Sequence, residues 1–154
     1  MPRRSDARKT AIQMLYLLDV NPDVPLEQIQ NTIADDLPKP DHREFAEQLV
    51  SGVRADLSQI DQLIEGIAQN WRIERMALTD RNVMRLAIYE MHQMGTPSAV
   101  AINEAIDLAK AFGTESSASF VNGIIDRLTP EALNSSSQGD VAKPQEDAPN
   151  AFEP

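Results

Sequence analysis

The segment DRNVMRLAIYEMHQM, residues 80–94, carries apolar side chains around most of a helical circumference. They are Val83, Met84, Leu86, Ala87, Ile88, Met91 and Met94. A helix on a protein surface keeps its apolar residues on one face, whereas a helix with apolar residues nearly all round is buried among other elements. We therefore predict a central helix over about 80–94, with the remaining elements packed around it.

The segments on either side repeat their apolar residues every three or four positions, which is typical of amphipathic helices. The apolar stripes are Ala11, Ile12, Met14, Leu15, Tyr16 and Leu18, then Leu57, Ile60, Ile64, Ile67, Ala68 and Trp71, then Ile102, Ala105, Ile106, Ala109 and Phe112. Prolines and glycines separate the stripes, and Asp41 and Thr79 stand where N-terminal helix caps are expected. No segment alternates as a strand does. We predict an all-α fold of about seven helices, with a seam near 70–79.

The charge of the chain is distributed unevenly. The formal net charge is −10, which argues against nucleic acid as a partner. Residues 1–10, however, carry +3, residues 11–129 carry −9, and residues 130–154 carry −4. The last segment is rich in Pro, Ser, Gln and acidic residues, so it has little to bury and we expect a disordered acidic tail over 130–154.

The composition excludes several classes of site. The 154 residues include no cysteine, which excludes disulfides, thiolate nucleophiles and cysteine-bound zinc. His42 and His92 are far apart and lack metal-ligand spacing, and no glycine-rich phosphate loop is present. We expect no catalytic site, no metal and no cofactor. Because we find neither a signal peptide nor an apolar run long enough for a membrane span, we expect a cytoplasmic protein with no membrane partner.

The basic tip is the clearest candidate for binding a ligand. Arg3, Arg4, Arg8 and Lys9 lie at the start of the first predicted helix. Guanidinium groups stay charged and donate paired hydrogen bonds to phosphate. The alternative is that these residues are solvated end charges, and charge placement alone does not decide between the two interpretations.

Longer motifs point to a family. DRNVMRLAIYEM (80–91) and AINEAIDLAKAFGTESSASFVNGIIDRL (101–128) closely resemble the NusB family of bacterial transcription antitermination factors. The spaced residues Arg8, Ala11, Gln13, Leu15, Tyr16 and Asp19 support the resemblance, which covers about 1–128. It implies an all-α domain over 1–129, built from two packed three-helix-type subdomains at about 1–70 and 71–129.

The resemblance also implies a function. NusB-like proteins are not enzymes. They bind the boxA element of ribosomal RNA leader transcripts together with the ribosomal protein NusE, and they join the antitermination complex on RNA polymerase. Two alternatives remain open. One is a protein-interaction module, and the other is a stand-alone relative of the RNA-binding domain of RNA cytosine methyltransferases.

The resemblance assigns site residues by position in this chain. The RNA-binding candidates are Arg3, Arg4, Arg8, Lys9, Lys110, Ser116 and Phe120, and the partner-binding candidates are Glu74 and Asp80. Phe120 has two interpretations, a core residue or an aromatic that stacks on a base. Asp80 also suits a helix N-terminus as a favourable charge. We expect Asn103 and Asn122 to tie helices together through buried hydrogen bonds.

Overall fold

The computed structural model describes residues 2–135, with side chains from Arg4 onwards, and this region contains seven α-helices up to residue 125, a further helical segment over 130–135 and no strand. The helices are α1 (Pro2–Val20), α2 (Leu26–Asp36), α3 (Pro40–Ala55), α4 (Leu57–Ile67), α5 (Leu78–Gln93), α6 (Ser98–Phe112) and α7 (Ser117–Ile125). Two single-turn 3-10 helices lie at Ile73–Arg75 and Asp126–Leu128. The predicted all-α fold of about seven helices is confirmed. No helix of this part of the chain is long and apolar enough to cross a bilayer.

The helix boundaries follow the predicted breaks, but the caps differ. α3 begins at Pro40 and α5 at Leu78, so Asp41 and Thr79 lie inside the first turn, and no side-chain hydrogen bond caps either helix. The cap predictions for these two residues are therefore wrong. Gly95, with φ of 71°, ends α5 in the left-handed conformation that glycine adopts without strain. The turn is closed by a hydrogen bond from the backbone N–H of Thr96 to the carbonyl oxygen of Glu90.

α5 is the central helix, as its sequence predicts. Its residues 82–88 are all buried, and it packs against α1, α3, α4, α6 and α7. The contact with α3 is close at Gly52, where a Cβ atom would come within 2.0 Å of the Tyr89 ring. Glycine at this position therefore allows the two helices to approach each other.

The remaining helices form two groups against α5. α1 packs on α2 and α3, whereas α6 packs on α7. α4, which the sequence assigns to the first subdomain, contacts α3 as well as α5 and α7. The subdomain boundary near residue 70 stays a prediction.

The chain continues as a helix over 130–135, where we expected the tail to begin. The Thr129 hydroxyl accepts a hydrogen bond from the backbone N–H of Ala132 at 3.0 Å, and Leu133 packs against the core. The apolar Leu133 and the threonine cap explain why these six residues are ordered with the domain. The rest of the predicted tail, 136–154, lies outside the described residues.

Candidate functional site

Arg8 of the basic tip is buried, although the sequence suggests an exposed cation. Its Nε and Nη2 atoms donate to Oε2 and Oε1 of Glu90 at 2.6 and 2.7 Å, and Nη1 lies 3.5 Å from Glu104. Burial disfavours the charged form, but the hydrogen bond to Glu90 and the charges of Glu90 and Glu104 outweigh it, so the pKa of Arg8 is raised. The Thr96 hydroxyl also donates to Glu90, at 3.0 Å. Arg8 therefore joins α1 to α5.

The other described cations of the tip are accessible. Arg4 and Lys9 are exposed, and the Arg4 guanidinium lies over the Phe45 ring, 4.2 Å from its centroid. An aromatic face attracts a guanidinium through its quadrupole and leaves the N–H groups at the edge of the cation. Phe45 thus holds Arg4 at the surface. The side chain of Arg3 lies outside the described residues.

Ser116 and Phe120 line a groove of about 450 Å³, which we call the aromatic groove. It is lined by Trp71, Arg75, Asp80, Ser116, Ser119 and Phe120. The rings of Trp71 and Phe120 meet edge to face, with centroids 6.2 Å apart. Phe120 packs against the core and also lines the groove, so both of its predicted interpretations describe part of its surroundings.

Asp80 brings the two predicted surfaces together. It lies in the first turn of α5 and faces the same groove as Phe120. Its Oδ1 atom is buried and has no hydrogen-bond partner among the described residues. An acceptor that is buried without a partner is costly, and such an atom invites a donor from a bound molecule.

Glu74 and Lys110 stand apart from that groove, and both are exposed. Glu74 lies on the 3-10 helix within the seam, with its Oε1 atom 3.5 Å from Nε of Arg72. A hydrogen bond from its own backbone N–H and the nearby charge of Arg72 lower the pKa of Glu74. Glu74 is therefore a fully ionised acid at the surface at neutral pH. Lys110 lies in the last turn of α6.

Two residues of the groove were missed. We placed Trp71 in the apolar stripe of α4, but that helix ends at Ile67 and Trp71 is 52% exposed. Arg75 was not predicted as a site residue because the seam has no helical pattern. The signal was the composition of WRIERM (71–76), where an aromatic and two arginines interleave in an irregular segment.

The buried polar residues were also misplaced. Asn103 and Asn122 are exposed, so the prediction that they tie helices together is wrong. Asn82 does so instead, donating from Nδ2 to Oδ2 of Asp19 at 2.9 Å. Arg85 completes this cluster. Its Nη1 lies 3.2 Å from Asp19, and its Nε and Nη2 donate to the two oxygens of Asp61 at 2.8 and 2.9 Å. Burying charged groups of a largely apolar helix costs little free energy when they are paired and hydrogen-bonded in this way.

Comparison with known proteins agrees with this architecture. The model of the NusB family matches residues 5–130. The chain is 41% identical over 126 residues to the transcription antitermination protein NusB of Desulforamulus reducens, covering 81% of this chain and 88% of that protein. It is 42% identical over 139 residues to the protein of the same name from Myxococcus xanthus, covering 87% of this chain and 99% of that protein.

Solved structures give the same result. NusB of T. maritima matches with a TM-score of 0.77 and 38% identity, over 85% of this chain and 92% of that chain. A crystal structure of antitermination factors NusB and NusE in complex with dsRNA matches with a TM-score of 0.74 and 27% identity, over 83% of this chain and 96% of that chain. The family model, the curated relatives and the fold lead to one assignment: this chain belongs to the NusB family.

Proposed function

We propose that this chain is a transcription antitermination factor, and not an enzyme, that binds boxA-type RNA of ribosomal RNA leader transcripts together with the ribosomal protein NusE. The observation that carries the proposal is the family match over residues 5–130, supported by curated relatives named transcription antitermination protein. The pair acts within the antitermination complex on RNA polymerase, which places the protein in the cytoplasm.

The exposed cations supply the contacts to phosphate. Arg4 is held at the surface by Phe45, while Lys9 and Lys110 are exposed on α1 and α6. Arg3 is a further proposed contact to phosphate, on the basis of the sequence alone. Arg8 is given a different role, because its guanidinium is buried on Glu90. It fixes the position of α1, one turn after Arg4, and so orients the tip toward RNA.

The aromatic groove supplies the contacts to bases. Single-stranded RNA is recognised by stacking of unstacked bases on aromatic side chains, together with hydrogen bonds to base edges. Phe120 offers the aromatic contact, and the uncharged hydroxyl of Ser116 adds no repulsion to nearby phosphate.

The acidic surface near the seam faces NusE. Residues 11–129 carry a charge of −9, which complements a basic ribosomal protein and steers association. Glu74 is the primary contact because its carboxylate is exposed. Asp80, the second predicted contact, lies in the aromatic groove, so the RNA-binding and partner-binding surfaces meet there.

RNA-binding measurements test the proposal. Fluorescence anisotropy of a labelled boxA-type RNA and a scrambled RNA of equal length would be recorded with and without NusE. We expect selective binding of the boxA-type RNA, with an affinity that increases when NusE is present. Equal weak binding of both RNAs under all conditions would overturn the proposed function.

A further inference from the structure

The aromatic groove combines an exposed aromatic ring, an acceptor and a cation within one cavity. Trp71 and Phe120 form one wall, and Asp80 and Arg75 line the same space. We propose that this groove is a pocket for one unpaired guanine base. The inference rests on the proposed function, and it goes further by assigning Trp71, Arg75 and Asp80 to base selection.

The aromatic wall favours a base over other ligands. Trp71 is 52% exposed although it lies next to Phe120, so its indole leaves a broad apolar face toward solvent. Bases stack on such faces regardless of their identity, since every base has a π-face. The groove, at about 450 Å³, is spacious enough for a single base. Stacking therefore explains the binding of a base but not the choice of base.

Asp80 determines which base the groove prefers. Its Oδ1 atom is buried and has no hydrogen-bond partner among the described residues, so the carboxylate keeps an unused acceptor for a ligand in the groove that Asp80 lines. Guanine presents two adjacent donors, N1–H and N2–H. Adenine and cytosine each present one amino group, and the N3–H of uracil stands between two carbonyl oxygens that repel a carboxylate. Asp80 thus favours guanine most and uracil least.

Arg75 adds a second criterion. Its side chain is exposed and lines the same groove, and arginine donates in pairs to the O6 and N7 atoms of guanine. Guanine is the only base that offers two adjacent donors to a carboxylate and two adjacent acceptors to a guanidinium. The juxtaposition of Asp80 and Arg75 therefore selects guanine.

The single tryptophan of the chain allows a direct test. The full chain would be titrated with the heptamers UUUGUUU, UUUAUUU, UUUCUUU and UUUUUUU while the fluorescence of Trp71 is recorded. A bidentate contact discriminates bases by roughly 5- to 150-fold, so we expect UUUGUUU to quench Trp71 at least about tenfold more tightly than UUUUUUU. Asp80→Asn and, separately, Arg75→Gln should reduce that ratio several-fold. Asp107→Asn, an exposed carboxylate on α6, serves as the matched control and should leave it unchanged.

The outcomes separate this inference from the proposed function. Equal quenching by all four heptamers overturns the choice of guanine. Binding of boxA-type RNA seen by anisotropy, with the fluorescence of Trp71 unchanged, overturns the pocket but leaves the proposed function standing. Weaker pairing of Asp80→Asn with NusE at an unaltered base preference assigns Asp80 to the protein interface and overturns its role here. If no RNA binds even when NusE is present, both the guanine pocket and the proposed function are overturned. Arg75 is exposed, so Arg75→Gln keeps the test valid if Asp80→Asn proves unstable.

Discussion

Arg8 and Glu90 form a two-bond ion pair between the first and fifth helices, at a point where 6% of one side chain and 0% of the other is exposed. The pair stands beside Phe45, whose ring centroid lies 5.3 Å from the Arg8 guanidinium and 4.2 Å from that of Arg4. The Phe45 ring therefore lies next to both the buried guanidinium of Arg8 and the exposed guanidinium of Arg4.

Removing Arg8 should destabilise the fold strongly. In Arg8→Met the Glu90 carboxylate loses both short hydrogen bonds and stays buried, and breaking a buried pair in this way costs about 3–5 kcal/mol. Urea unfolding followed by circular dichroism measures the loss. The double variant Arg8→Met/Glu90→Leu should recover most of it, because no charge is left unpaired. The exposed Arg127→Met is the control. Additive losses in the double variant would contradict this account.

The salt dependence of RNA binding should report the exposed cations. Arg4→Gln, Lys9→Gln and Lys110→Gln each remove one proposed phosphate contact. For a single strand, each lost contact should make the slope of log K against log salt shallower by about 0.7. Arg127→Gln removes the same charge elsewhere and should leave the slope unaltered. A slope that does not change in any of the three variants would refute their contact with phosphate.

Reversing the charge of Glu74 should weaken pairing with NusE. Glu74→Lys places a cation on the acidic surface, and a rim charge of this kind acts mainly on the association rate. We expect slower association at low salt with a nearly unchanged dissociation rate, measured by surface plasmon resonance. Glu47→Lys is the matched control, since Glu47 is exposed on α3 and lies away from the seam. Equal slowing in both variants would point to overall charge alone.

The attachment of residues 130–135 should depend on pH. The Ser98 hydroxyl donates to Oε1 of Glu131 at 2.7 Å, and this bond, with one from the Glu131 backbone, lowers the pKa of Glu131. A lowered pKa in the folded state means that the interaction is complete at neutral pH and is lost as the pH falls through that lowered value. Ser98→Ala should raise the pKa of Glu131 toward its ordinary value, as measured by NMR of the side-chain carboxyl. The lowered pKa of Glu74, whose causes do not include Ser98, should be the same in both proteins.

Apolar periodicity predicts the helices of this chain well because burial repeats with the helical turn. It identified the central α5 and the breaks at the prolines. It failed at Trp71, since the apolar stripe of α4 continues in sequence past Ile67, where the helix ends. Spacing alone does not reveal where backbone hydrogen bonding stops.

Polar residues were harder to place, for a different reason. Arg8 was taken for a surface cation, yet it lies on the same helical face as Ala11 and Leu15, which are buried. A charged side chain within an apolar face is buried only if another helix supplies a residue of opposite charge. For Arg8 that residue is Glu90, 82 positions away in the sequence. Pairs so distant in the chain become visible only once the helices are packed.

The two anchors of α1 also fix its register. Arg8 is bound to Glu90 near one end of the helix, and Asp19 to Asn82 and Arg85 near the other, eleven residues later. Inserting one residue between the anchors would rotate one end by about 100° relative to the other, so only one anchor could remain bonded. The first helix is therefore a spacer of fixed length. Related proteins should carry insertions in the loops rather than between the positions of residues 8 and 19.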